Sequence, residues 1–459
     1  MLKNETICAV STGMGRSAIG IIRISGPDAI AVCDGIFKGK KRISEMESFT
    51  AAFGRIVDGD EIIDEAIVLV MKGPHTYTTE DTVEIDIHGG KLVVKKVMST
   101  LINRGVRVAE PGEFTKRAFL GGRIDMTEAE AVMDIISAET DRALKTSVNQ
   151  LTGKLREEIV DLREKLLYQT AFIESALDDP EHYSLEGFPE KLREVVNSVN
   201  MRIDKLISTS DEGRIIREGI RTVIAGKPNV GKSSMLNSLL GEERAIVTDI
   251  EGTTRDTLEE YVDIGGVLLR LIDTAGIRDT EDVVERIGVD KAKESIADAD
   301  LVLMLLDMTQ GISSEDQEIL KSLSGKKTIV IYNKIDKKES FIDEVNTADA
   351  EKNEIKKVYI SAKTGEGIEE LKQLIRDMFL SSEIDYDDQI YITRSRHKAA
   401  LTEARQSLDK VIEGIDMGMG EDFLTIDLMA AYEALGEIIG EVLEDDLADK
   451  IFSEFCMGK

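Results

Sequence analysis

Cysteine is scarce in this chain. Its three copies in 459 residues, Cys8, Cys33 and Cys456, stand too far apart for a zinc site or a Cys-x-x-Cys redox centre. That scarcity argues against a disulfide-stapled scaffold and for a reduced compartment. No apolar run approaches membrane-spanning length, and the opening Met-Leu-Lys-Asn-Glu is no secretory signal, so a cytoplasmic protein without a membrane partner is expected. Positive charge also falls short, with 58 Lys+Arg against 88 Asp+Glu and a net charge of −30. Such a balance opposes broad attraction to nucleic acid, although a local basic patch remains compatible with it. The deficit is uneven: residues 1–120 hold 16 residues of each sign, so the whole excess lies in 121–459. If RNA touches this chain, the first segment repels it least. At 42% hydrophobic residues, the chain can bury two or three cores.

What is present is more specific. The stretch Gly226-Lys-Pro-Asn229-Val230-Gly231-Lys232-Ser233 fits GxxxxGK[ST], follows the apolar run Thr222-Val-Ile-Ala225, and opens the amphipathic segment that begins at Ser234. Strand, glycine loop and helix in that order aim backbone N–H groups and a helix amino terminus at phosphate oxygens, with Lys232 on the outer phosphates and Ser233 on Mg²⁺. The bare pattern arises by chance in roughly one or two of a hundred chains of this length, so its neighbours matter. Thr253-Thr254-Arg-Asp256 can supply a hydroxyl to Mg²⁺ and the terminal phosphate, for which Thr254 is the better candidate. Asp273-Thr-Ala-Gly276 follows an apolar strand and offers a carboxylate for water-mediated Mg²⁺ binding and a Gly N–H for the γ-phosphate. Asn333-Lys334-Ile-Asp336 and Ser361-Ala362-Lys363 read the base. The Asp336 carboxylate accepts from guanine N1–H and its 2-amino group, which adenine cannot match. Five such motifs in one order within Arg221–Phe379 imply a Ras-like, P-loop GTP-binding domain.

Periodicity divides the rest. Short β-like runs (19–24, 66–70, 83–88) mixed with helical ones suggest an α+β domain over 1–118. Over 119–218 the pattern is helical. Thr127-Glu-Ala-Glu130 has capping-box spacing, and Leu144, Val148, Leu151, Leu155, Ile159, Leu162 and Leu166 form the stripe of one long helix. A second helix runs over about 190–208, and Asp211-Glu-Gly213 reads as a polar linker. The GTPase domain occupies 219–379. After an acidic, loop-like stretch at 383–389, helical periodicity resumes within 380–459. Two separate sets of helices would each expose an apolar face, so the expected architecture is a multidomain α/β chain in which the GTPase domain is inserted in an all-helical domain, preceded by the α+β domain.

For hydrolysis, the residue after Asp-x-x-Gly is Ile277, which cannot orient water. Asp279, Glu281, Asp282 and Glu285 follow closely and stay open as candidates. The Asn229 amide oxygen lies where a monovalent cation would supply the positive charge that an arginine otherwise brings.

Gly20-Ile-Ile-Arg23-Ile-Ser-Gly26, Tyr77-Thr-Thr-Glu80-Asp-Thr-Val-Glu84, His88-Gly-Gly90, Pro111-Gly-Glu-Phe114 with Arg117-Ala-Phe119, and the terminal Cys456-Met-Gly-Lys459 resemble the tRNA-modification GTPase family MnmE, also called TrmE. The resemblance covers essentially the whole chain. It implies a homodimer paired through amino-terminal domains that bind 5-formyltetrahydrofolate or a related one-carbon tetrahydrofolate. It also implies GTPase domains that meet when K⁺ and GTP bind, and an FAD-containing partner protein with which the 5-position of the wobble uridine of certain tRNAs gains an aminomethyl or carboxymethylaminomethyl group. Folate contacts carry over to Arg23, Glu84, Arg123 and Lys459, K⁺ ligands to Asn229, Thr248, Ile250 and Thr253, Mg²⁺ ligands to Ser233 and Thr254, and the catalytic carboxylate to Glu285. Cys456 admits a reactive reading beside Lys459 and a packing reading beside Phe452 and Phe455. Met457 departs from the family tail conservatively. Two further readings are a GTP-switched RNA assembly factor, which would carry a basic RNA-binding module, and a folate-responsive regulatory switch.

Overall fold

The computed structural model describes residues 5–13, 15–240, 260–272, 296–310, 312–323, 325–337, 355–379, 389–441, 445–453, 455 and 458. The chain divides into two compact units. One comprises Met1–Ser137, Ser147–Lys205 and Arg396–Lys459; the other comprises Ala138–Thr146 and Leu206–Ser395. No helix among the described residues is long and apolar enough to cross a membrane.

In the first unit seven strands form one sheet: β1 (Ile7–Val10), β2 (Ile19–Ser25), β3 (Phe37–Gly39), β4 (Thr50–Asp58), β5 (Glu61–Met71), β6 (Thr82–His88) and β7 (Arg107–Val108), in the order β3-β4-β5-β6-β2-β1-β7. All neighbours are antiparallel except β1 and β7. Alternation explains the sheet, since Ile22, Ile24, Val68, Val70, Val83 and Ile85 are fully buried against helices Ala29–Ile36 and Lys91–Ile102. The register sets Arg23 directly opposite Glu84.

The helical part of this unit departs from expectation in two places. The helix Met126–Ile136 starts two residues earlier than the Thr127/Glu130 spacing suggests: Asp125 is its N-cap, accepting from Glu128 N at 2.8 Å, while Glu128 Oε2 accepts from Asp125 N at 2.8 Å. Thr127 is buried within the helix, and Glu130 is drawn instead into a buried ionic cluster. Arg396 donates to both Glu130 oxygens at 2.7 and 2.9 Å, and His397 Nε2 lies 3.1 Å from Oε2. The expected long stripe is two helices, Asp141–Leu151 and Lys154–Asp178, broken where Gly153 turns left-handed. The second buries the expected apolar stripe, Leu155, Ile159, Leu162 and Leu166, and packs against helix Glu421–Ile439, whereas the first buries Ala143, Ser147 and Gln150 instead. Leu144 and Val148 are more than 40% exposed. Near the carboxyl end Phe452 and Phe455 join Phe119, Met126 and Ala129 in one apolar cluster.

The second unit holds the strands β8 (Ile220–Ala225), β9 (Glu260–Asp263), β10 (Leu268–Leu271), β11 (Leu301–Asp307), β12 (Lys327–Asn333) and β13 (Ile355–Tyr359), ordered β13-β12-β11-β8-β10-β9. All pairs are parallel except β9 with β10. Every residue of β11 is buried, as expected of a parallel strand covered on both faces. Leu301, Leu303 and Leu305 meet helices Lys232–Leu240 and Ile368–Phe379, while Val302, Met304 and Leu306 meet Ile296, Ala299 and Leu323. Residues 211–213, expected as a linker, lie in the helix Ser210–Glu218. Gly213 is there for close approach, because a Cβ would fall 2.4 Å from the Ile392 carbonyl oxygen. The parallel sheet delivers the carboxyl ends of β8, β11 and β12 to one edge, where ligand sites of such folds form.

Candidate functional site

At that edge the phosphate loop leaves β8 and enters helix Lys232–Leu240. Gly231 has φ +104° and faces the base-reading loop so closely that a Cβ would lie 2.3 Å from Asn333 Nδ2. Asn333, buried at the end of β12, uses its amide at both ends. Its Nδ2 donates to Val230 O at 2.8 Å, and its Oδ1 accepts from Lys334 N at 2.8 Å and Ala362 N at 3.0 Å. One side chain thus joins three sequence motifs. The Ser361 hydroxyl donates to Asp336 Oδ1 at 2.8 Å and accepts from Thr364 N at 3.2 Å, which orients the carboxylate read as the guanine acceptor; Lys363 is exposed.

Lys232 Nζ donates to the Gly226 carbonyl at 2.6 Å, and burial pushes its pKa down. A phosphate oxygen there would reverse that shift by pairing the ammonium. Ser233 and Ser234 begin the helix with exposed side chains, and Asn229 is exposed with φ +63°. An accessible hydroxyl and an accessible amide oxygen fit hard-cation chemistry, Ser233 for Mg²⁺ and Asn229 for K⁺. Thr248, Ile250, Thr253, Thr254, Asp273, Gly276 and Glu285 lie outside the described residues.

Sequence reasoning missed Asp307. It ends β11, is 5% exposed, and accepts from Lys334 Nζ at 2.5 Å. Burial alone would raise its pKa, but the Lys334 ammonium and the Thr309 hydroxyl and N–H outweigh it and hold the carboxyl below its usual range. The signal was a carboxylate closing the all-apolar run Leu301–Leu306.

The second candidate site lies in the first unit. Arg23 pairs with Glu84, both its Nε and Nη2 standing 2.8 Å from Oε1. The guanidinium lies 5.6 Å from the Tyr77 ring centre and 5.7 Å from that of Phe114, while Arg123, exposed, lies 4.8 Å over Tyr77. The chain's tail arrives here too, as the Gly458 carbonyl accepts from Ser11 Oγ at 3.3 Å and Arg23 Nη1 at 3.5 Å. Three sequence-predicted folate residues and the neighbour of Lys459 therefore converge. Lys459 itself and Cys456 lie outside the described residues. Two cations, one acceptor and an aromatic face suit a ligand with a conjugated ring, a donor edge and carboxylates. Arg117 differs: it is buried and paired with Glu80 and Glu113 at 2.9 Å each, so this part of the amino-terminal pattern serves the fold.

Two family models match the chain: "MnmE helical domain" over residues 126–456 and "GTP-binding protein TrmE N-terminus" over 6–123. The chain is 52% identical to the tRNA modification GTPase MnmE of Lachnoclostridium phytofermentans, with 100% of each chain covered. It is 47% identical to the proteins of the same description from Bacillus mycoides, with 99% of each chain covered, and from Clostridioides difficile, with 100% of each.

Proposed function

This chain belongs to the MnmE (TrmE) family of tRNA-modification GTPases, hydrolysing GTP in tRNA modification, and we propose that it does so as a K⁺-stimulated homodimer. In this reading an FAD-containing partner protein joins it to build an aminomethyl or carboxymethylaminomethyl group on the 5-position of the wobble uridine, with a one-carbon tetrahydrofolate as donor. The observation that carries it is the presence of two chemically distinct sites on one chain. Asp336, oriented by Ser361 beside the loops that Asn333 ties together, suits guanine, whereas Arg23, Glu84, Arg123 and Tyr77 suit a charged heteroaromatic ligand.

Bound Mg²⁺ and K⁺ supply positive charge to the phosphate oxygens. Lys232 would reach the outer phosphates, the Ser233 and Thr254 hydroxyls would hold Mg²⁺, and Asn229 with Thr248, Ile250 and Thr253 would hold K⁺. Glu285 positions water, directly or through a second one, so Glu285→Ala should cut turnover about 10²-fold or more with GTP affinity nearly intact. In the other unit the Arg23 and Arg123 guanidiniums and Lys459 pair with folate carboxylates while Glu84 accepts from the pterin. The family assignment and the balanced charge of residues 1–120 favour this reading over an assembly factor with a basic RNA-binding module.

Mass spectrometry of wobble nucleosides from cells with and without the gene tests the modification. Loss of the 5-substituted uridine on deletion, restored by the parent gene, is expected. Unchanged nucleosides would favour a folate-responsive switch instead.

A further inference from the structure

Asp307 belongs to none of the five nucleotide motifs, yet it touches the group that ties two of them together. Its Oδ1 accepts from Thr309 N at 2.9 Å and Thr309 Oγ1 at 2.7 Å, and its Oδ2 accepts from Lys334 Nζ at 2.5 Å. The same ammonium donates to the Asn229 carbonyl at 2.9 Å. Lys334 lies in the base-reading loop and Asn229 in the phosphate loop, and both occupy left-handed backbone conformations, φ +71° and +63°. Neither is glycine, so surrounding contacts must hold both turns. The Lys334 ammonium reaches both, and a buried carboxylate fixes it. On the other flank of the same phosphate loop, Lys227 Nζ pairs with Asp316 Oδ2 at 3.0 Å, and Asp316 is 4% exposed. The segment from Asp307 to Asp316 therefore braces the Lys227–Asn229 turn from two sides.

We propose that Asp307 is a positioning residue of the nucleotide site, one that fixes the Lys334 ammonium against the Asn229 carbonyl and so sets the spacing between the base-reading and phosphate loops. Two consequences follow. Bound GDP is retained longer, because the guanine and phosphate contacts are held in register. The Asn229 amide is held in one conformation, which lowers the K⁺ concentration that hydrolysis requires; this second consequence rests on the reading of Asn229 as a K⁺ ligand.

The test uses the full-length chain with Asp307→Asn. The replacement is isosteric and keeps an oxygen for Thr309, but presents an NH₂ to the ammonium in place of an acceptor. Release of a fluorescent GDP analogue and the K⁺ dependence of GTP turnover are measured beside urea unfolding. Loss of one charge-assisted hydrogen bond is expected to speed GDP release about tenfold and raise half-activating K⁺ by a similar factor. Asp307→Glu, which retains the carboxylate, is expected to recover part of both. Release within twofold of the parent, with or without a shift in the urea midpoint, overturns the proposal and leaves Asp307 as a turn cap. A parent enzyme indifferent to K⁺ removes the cation reading alone, and GDP release still decides the role of Asp307.

Discussion

The two units place their charged groups differently. In the first, ionic groups are paired within the protein: Arg117 with Glu80 and Glu113, Arg396 and His397 with Glu130, Arg23 with Glu84. In the second, cations at the site edge also reach backbone carbonyls of the phosphate loop: Lys232 donates to Gly226 O, and Lys334, paired with Asp307, donates to Asn229 O as well. A charge closed on a carboxylate defines a shape, whereas the Lys232 ammonium, which rests on a carbonyl, is held in readiness for a phosphate oxygen. Substitutions at the fully buried pairs of the first unit should therefore act mainly on stability, and those at the Arg23–Glu84 site and at the second unit's edge mainly on ligand.

The largest effect is expected where a buried carboxylate serves two partners. Glu130 is 1% exposed, and Glu130→Ala removes the carboxylate that the partly buried Arg396 and the fully buried His397 face; removing one member of a buried pair costs about 3–5 kcal/mol. Urea unfolding should show a midpoint shift of that size, and a shift under 1 kcal/mol would mean that water already reaches the cluster. Next comes Asp336→Asn in the second unit. An amide in place of the carboxylate loses the guanine donors and offers an N–H to a carbonyl at the same ring position, so GTP affinity should fall by about 10² while xanthosine triphosphate binding rises, with little change in stability. Equal losses for both nucleotides would show that the effect is on folding. Smaller is Arg23→Lys, which keeps the charge but loses the second N–H to Glu84. Folate affinity, measured calorimetrically, should fall about tenfold.

The smallest effect concerns pH. The Asp307 pKa is depressed in the folded protein, so its contribution is fully present above the ordinary carboxylate range and is lost only as pH falls through the lowered value. GDP release should therefore not vary on its account between about pH 6 and 8, and a strong dependence there would implicate another group.

The parts legible in the sequence are those whose chemistry is local. A phosphate loop needs its glycines and lysine within eight positions, and β8, β10, β12 and β13 announce themselves as largely apolar runs ending in polar motifs. Arg23 and Glu84 were paired by resemblance, and the antiparallel register then set them opposite one another. What could not be read depends on distant partners. Glu130 looked like a cap because Arg396, its partner, lies 266 positions away. Residues 211–213 looked like a linker because glycine disfavours helix, and the Ile392 carbonyl that excludes a side chain is remote in sequence. Asp307 looked like the end of a strand until Lys334 was seen against it.

In the proposed reading the second unit's edge is completed by a cation rather than by an outside arginine. GTP turnover by the purified protein in KCl and NaCl of equal ionic strength, across a dilution series and with Asn229→Ala beside the parent, tests it most directly. Strong stimulation by K⁺ that fades on dilution and in the variant is expected. Equal rates in the two salts would contradict it and assign the missing charge to an external activator.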